Sequence, residues 1–122
     1  MPIDSAHRPL YEVKANLFKG LAHPLRIRIL ELVTARPGIT VAELQSEMDI
    51  EASHLSQHLA VLRRHRLVTS ERRGSHVHYS PTSPQVGELL ASARGLLLVL
   101  LAEDSALLGD ASSLPELGGD AR

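Results

Sequence analysis

A chain of 122 residues, 43% of them hydrophobic, has room for one domain with a modest core and is too apolar to be disordered throughout. It contains no cysteine, which excludes disulfides, zinc–thiolate centres and thiol redox sensing, and its two tyrosines and one phenylalanine leave Leu, Ile, Val and Ala to build the interior. The net charge of −1 is unevenly placed: residues 52–80 hold five arginines against one acid (Glu71), an excess of +4, while residues 81–122 stand at −4, and a basic middle on a near-neutral chain is a footprint for a polyanion.

Residues 1–8 read as a flexible arm without the charged-then-apolar order of a signal peptide. From Pro9, the positions Leu10, Val13, Leu17, Phe18 and Leu21 recur at helical spacing and predict a first helix. His23-Pro24 ends it, and Pro24 suits the first turn of the next helix, where its missing N–H leaves no bond unmade. That second helix carries Leu25, Ile27, Ile29, Leu30, Leu32 and Val33 on most of its sides, so it is expected at the centre of the core; Arg36-Pro37-Gly38 stops it. Thr40-Val41-Ala42-Glu43 has the form of a capping box and opens a short third helix, Val41 to about Met48. A tight turn through Asp49 and Ile50 then leads into a fourth, so that helices three and four form a helix-turn-helix.

The fourth helix, ASHLSQHLAVLRRHRLV over residues 52–68, carries the chemistry. At about 100° per residue, Leu55, Leu59 and Leu62 share one side, which docks on the domain. Ser53, Gln57, Ala60 and Arg64 fall roughly opposite, flanked by Ser56 and Arg63. Hydroxyl, amide and guanidinium groups on one outward face are those that read base edges and hold phosphates in a major groove. His54, His58 and His65 lie between the two faces, within about 40° of arc. His54 and His58, four residues apart, could share a metal; otherwise His58 is a boundary residue bonding to backbone or phosphate.

The period then changes. Leu67–Arg73 and His76–Ser80 read as two short strands, with Gly74-Ser75 as the hairpin signal between them. Pro81-Thr82-Ser83-Pro84 links to a last helix from about Pro84 to Leu108, and residues 109–122, rich in Gly, Asp, Ser and Pro, read as a disordered tail. The domain is thus expected over 9–108: mainly α with a small β-hairpin, in the order four helices, two strands, one helix. The longest unbroken apolar run, Leu96 to Ala102, is shorter than a membrane span needs, so the expectation is a soluble cytoplasmic protein without a membrane role.

Two runs carry a resemblance. Leu21-Ala22-His23-Pro24-Leu25-Arg26-Ile27-Arg28-Ile29-Leu30 resembles the opening signature of the ArsR/SmtB family of metal-responsive repressors, and Leu55-Ser56-Gln57-His58-Leu59-Ala60-Val61-Leu62 resembles its recognition-helix signature. Leu67-Val68 and the hairpin from Arg72 to Tyr79 match its wing, so the likeness spans roughly residues 10–105. It implies a winged helix-turn-helix, a homodimer formed through the first and last helices, and repression by occupying a palindromic operator on double-stranded DNA. Carried over by position, the DNA-reading residues are Ser53, His54, Ser56, Gln57 and His58, with Arg63 and Arg64 on phosphates and Arg72, Arg73, Ser75 and His76 on the wing. Leu10, Val13 and Leu17 of the first helix and Leu89, Ala93, Leu96, Leu97 and Leu100 of the last then belong to the dimer interface. Arg66, preceded by His65, departs from the family, which commonly places a small residue or glycine before the Leu-Val pair.

The sensor is where this sequence leaves the family pattern. The short third helix lacks the cysteines with which many members bind thiophilic metals, and the last helix lacks the histidines that others use. The remaining donors are His7, His23, His76 and His78; the last two lie two apart on a strand, facing either a nickel or zinc ion or the DNA. The effector is therefore expected to be nickel or zinc through nitrogen and oxygen donors, or else the signal reaches the chain through a co-regulator protein. An enzyme is not expected, because no nucleophile elbow, phosphate loop or metalloprotease spacing is present. A protein-interaction module that does not touch DNA is the remaining rival, and the +4 segment argues against it.

Overall fold

Helix α1 (Leu10–Leu21) begins at Pro9, and His23 turns the chain into α2 (Pro24–Ala35) by accepting the Leu25 amide on its Nδ1 at 3.1 Å, with Pro24 in the first turn. The computed structural model describes residues 8–104. The chain then runs through β1 (Ile39–Thr40), α3 (Val41–Met48), α4 (Ala52–Arg64), β2 (Val68–Arg73), β3 (His76–Pro81) and α5 (Pro84–Glu103). Its described residues divide into two units, 8–86 and 87–104.

In the first unit, α2 is the central helix, as its all-round apolarity predicts. Ile29, Leu30 and Val33 are fully buried, as are Leu44 of α3 and Leu55 and Leu62 of α4, in a core made almost wholly of aliphatic side chains. Tyr79 is the aromatic residue that joins it. The hairpin is part of a larger sheet than the sequence suggests. β3 is the middle strand, paired antiparallel with β2 on one side and with β1 on the other, in the register Ile39↔Tyr79 and Thr40↔His78. Two residues are too few to show a strand period, so β1 is set by its partner. Ile39 is buried by this pairing, which anchors the wing to the start of α3.

The second unit contains most of α5. Residues 91–100 are exposed throughout, including Leu96, Leu97, Leu98, Val99 and Leu100. This 20-residue helix holds an 18-residue window of mean hydropathy 1.5, long and apolar enough to cross a membrane by length and composition. That corrects the expectation drawn from unbroken run length, because isolated polar residues interrupt a run without abolishing a helix's apolarity. The expected continuation of the last helix to residue 108, the tail 109–122 and nearly all of the arm 1–8 lie outside the described residues.

Candidate nucleic-acid interface

Helix α4 is positioned from three directions. Leu55, Leu59 and Leu62 are buried, while Ser53, His54, Ser56, Gln57, Ala60, Arg63 and Arg64 are exposed and His58 is half-buried. The predicted division into a docking side and an outward side therefore stands in the structure. Before α4, Thr40 and Glu43 form both bonds of the capping box: the Glu43 amide donates to Thr40 Oγ1 at 3.1 Å and the Thr40 amide to Glu43 Oε1 at 2.9 Å. The Thr40 backbone amide first, and then the Thr40 side chain, hold the Glu43 carboxyl below its ordinary range. Asp49, left-handed at φ 52°, then turns the chain between α3 and α4.

The far end of α4 explains the departure at Arg66. The Leu67 amide donates to the Leu62 carbonyl at 2.9 Å and the Arg66 amide to the Arg63 carbonyl at 2.9 Å, the paired bonds of a Schellman cap. That cap needs a left-handed residue, and Arg66 supplies it at φ 61°, where glycine would carry no Cβ penalty. The buried pair Leu62 and Leu67 completes the motif, and the Thr82 hydroxyl donates to the Arg66 carbonyl at 2.7 Å. Helix α4 and the hairpin are thereby fixed to each other at a turn of three residues.

In the wing, Arg73↔His76 pairing leaves Gly74-Ser75 as a two-residue loop. Gly74 takes φ 61° and Ser75 does not have positive φ, the type II′ arrangement. Arg72, Arg73, Ser75 and His76 are all exposed. Arg73 is within 3.3 Å of Glu71 Oε1, whereas Arg63, Arg64, Arg66 and Arg72 have no ion pair with another described residue. A face with so many uncompensated guanidinium groups beside an exposed amide and two hydroxyls suits a duplex: the cations meet phosphates and the short polar groups meet base edges.

The histidines have other partners than the sequence suggests. The His58 ring lies 4.3 Å from that of His23 and 6.3 Å from that of His54, and its Nδ1 faces the Arg26 guanidinium at 3.4 Å. Its boundary position thus serves a side chain of α2, brought close by the fold from 32 residues away. His65 packs on Gly20 of α1. His78 donates from Nδ1 to the Gly38 carbonyl at 2.8 Å, tying β3 to the turn before β1, so its ring is not turned outward with that of His76. The Nδ1 atoms of His23 and His78 are engaged, which leaves their Nε2 atoms as the available donors, the rings of His76 and His78 stand 6.5 Å apart, and no three potential ligands converge among the described residues. His7 lies outside the described residues.

The residues expected at a dimer interface are placed as follows. On α1, Leu10 is exposed and Val13 and Leu17 are half-buried; on α5, Leu89 is half-buried and Ala93, Leu96, Leu97 and Leu100 are exposed. Tyr11 and Phe18, not expected there, add exposed aromatic surface to α1.

Comparison with known proteins agrees with this geometry. Residues 21–71, from the end of α1 into β2, match the family model described as a helix-turn-helix domain. The uncharacterized HTH-type transcriptional regulator Rv0081 of Mycobacterium tuberculosis is 47% identical over 102 residues, which cover 84% of this chain and 90% of that one. Its crystal structure superposes with a TM-score of 0.73 over 79% of this chain and 96% of its own. The biofilm growth-associated repressor of Agrobacterium fabrum is 32% identical over 74% of this chain and 75% of its own. The homodimeric winged helix-turn-helix DNA-binding domain Mb0332 of Mycobacterium bovis, described as a possible ArsR-family regulator, is 26% identical, with a TM-score of 0.63 over 78% of this chain and 83% of that one.

Proposed function

The chain belongs to the ArsR-type family of winged helix-turn-helix transcriptional regulators, and from that premise we propose that it is a cytoplasmic repressor that binds a palindromic operator as a homodimer. It is a DNA-binding regulator and not an enzyme. The observation that carries the finer reading is the single exposed face of α4 and the adjoining wing: Ser53, His54, Ser56 and Gln57 toward base edges with half-buried His58 at the margin of that face, Arg63 and Arg64 toward phosphates, and Arg72, Arg73, Ser75 and His76 along the flanking backbone. Dimerisation is supported by the exposed apolar side chains that α1 and α5 each carry, and by the homodimeric neighbour. Two recognition helices related by a twofold axis would meet major grooves about one turn, roughly 34 Å, apart.

The test is a duplex selected by the protein from a random-sequence pool. Gln57→Ala should lose about 1–3 kcal/mol of discrimination at one base pair of each half-site while keeping affinity for unrelated DNA. Arg72→Ala should weaken all duplexes alike and lower the slope of log affinity against log salt by about one per protomer. Arg72 is the cleaner choice because Glu71 already neutralises part of Arg73. If neither substitution alters binding, the reading of the helix and wing is wrong.

The effector is the remaining part of the proposal. A chain without cysteine would take nickel or zinc through nitrogen and oxygen donors. A second reading is favoured by the absence of three convergent ligands among the described residues: the chain has no sensor of its own and a co-regulator protein brings the signal. Titrating nickel and zinc into the duplex assay separates the two. A change in affinity at stoichiometric metal supports the first, and none supports the second.

A further inference from the structure

Arg26 lies on α2, apart from both the reading face and the wing, yet its guanidinium joins three helices. Its Nε donates to the Gly20 carbonyl at 2.8 Å and its Nη2 to the Lys19 carbonyl at 3.5 Å, both at the end of α1. Its Nη1 reaches Nδ1 of His58, on α4, at 3.4 Å. Guanidinium donors are held in a rigid planar fork, so acceptors on two helices constrain where those helices stand relative to α2. His23 completes the cluster: its ring lies against that of His58 while its own Nδ1 accepts the Leu25 amide and caps α2.

Both imidazoles are used as acceptors. Arginine and a backbone amide can only donate, and a ring nitrogen accepts only when it carries no proton. A second proton on either ring therefore removes one of these bonds and adds a positive charge beside Arg26.

We infer that Arg26 is a positioning residue that sets the recognition helix through His58, and that the setting holds only while His58 is unprotonated, so that mild acid loosens sequence-specific DNA binding. The inference rests on the DNA-reading function proposed above. The titratable and charged groups acting on His58 are His23 from the α1–α2 link, Arg26 from α2 and His54 from α4 itself; α1 contributes the Lys19 and Gly20 carbonyls through Arg26, and β2 contributes no charge. Burial first, then the positive charge of His23, Arg26 and His54, holds His58 below its ordinary value of about 6.5. An unfolded chain takes the proton more readily, so the cluster is intact above about pH 6.5 and is lost as pH falls through the lowered value of His58.

The experiment uses the full chain and a duplex it has selected from a random pool, titrated by fluorescence anisotropy at fixed ionic strength from about pH 7.5 to 5.5, with circular dichroism at each point. His58→Asn keeps an acceptor oxygen near the Nδ1 position and cannot titrate. Over this range the unsubstituted protein should lose about fivefold more affinity than His58→Asn. Arg26→Lys should lower the preference for the selected duplex over a scrambled one about tenfold at pH 7.5. Parallel pH profiles for the unsubstituted protein and His58→Asn, or full discrimination by Arg26→Lys, would overturn the inference. If Arg26→Lys fails to fold, the His58→Asn comparison decides alone. A selection that returns no duplex overturns the DNA-reading function itself, and the inference with it.

Discussion

Gly20 has no room for a side chain, because a Cβ there would stand 2.6 Å from the ring of His65. The contact fixes how α1 meets the end of α4, and it couples two residues far apart in sequence. Gly20→Ala should lower stability by about 1–3 kcal/mol through overpacking. The loss should be largely recovered in the double variant with His65→Ala, read from denaturant midpoints, and an additive pair would show that the contact carries no strain. Arg66 is the opposite case, a side chain where none is wanted. Its left-handed backbone carries a cost of about 1–2 kcal/mol, which glycine would relieve less its own loss of chain entropy, about 0.5–1 kcal/mol. Arg66→Gly should therefore raise the unfolding free energy by about 0.5 kcal/mol, and a fall would mean that the arginine side chain contributes contacts of its own. The unusual residue at position 66 is visible in the sequence, but the reason it matters is a backbone angle that only the folded turn reveals.

At the scale of elements, the start of α3 and the docking side of α4 are legible because local rules govern them. The Thr40–Glu43 box closes within one turn, and the Leu55, Leu59, Leu62 spacing needs only the helical period. Thr40→Ala should cost about 1 kcal/mol by leaving the Glu43 amide without its cap, and an unchanged melting temperature would mean that water replaces the hydroxyl without loss. Thr40 also pairs with His78 across β1 and β3, so this one residue ends a strand and begins a helix. The strand half of that role was not legible. Ile39 and Thr40 become a strand because β3 is beside them, with the Gly38 amide donating to the Tyr79 carbonyl at 2.8 Å.

For the whole molecule, the exposed aliphatic run on α5 is the feature a lone chain in water explains least well. Under the proposed dimer, Leu97→Glu should give a protomer mass in sedimentation and reduce affinity for the selected duplex at least about 100-fold, because the two half-sites are no longer read together. A dimer that survives this substitution would place the interface elsewhere, and association with phospholipid vesicles in place of dimerisation would show that the apolar helix serves a membrane.

Composition, period and capping chemistry determined by themselves that this chain is mainly helical with one short hairpin, and which side of α4 faces out, while the winged helix-turn-helix was legible only through the resemblance to the ArsR/SmtB family. The first two follow from neighbours within a turn or two of backbone. Tertiary structure alone decided what the histidines do: His58 meets Arg26 and His23, His65 meets Gly20, and His78 meets Gly38, at separations that no local period spans. An imidazole can donate, accept, ligate or pack, and its sequence neighbours do not choose among these; the choice belongs to whichever group the fold brings within reach of its ring.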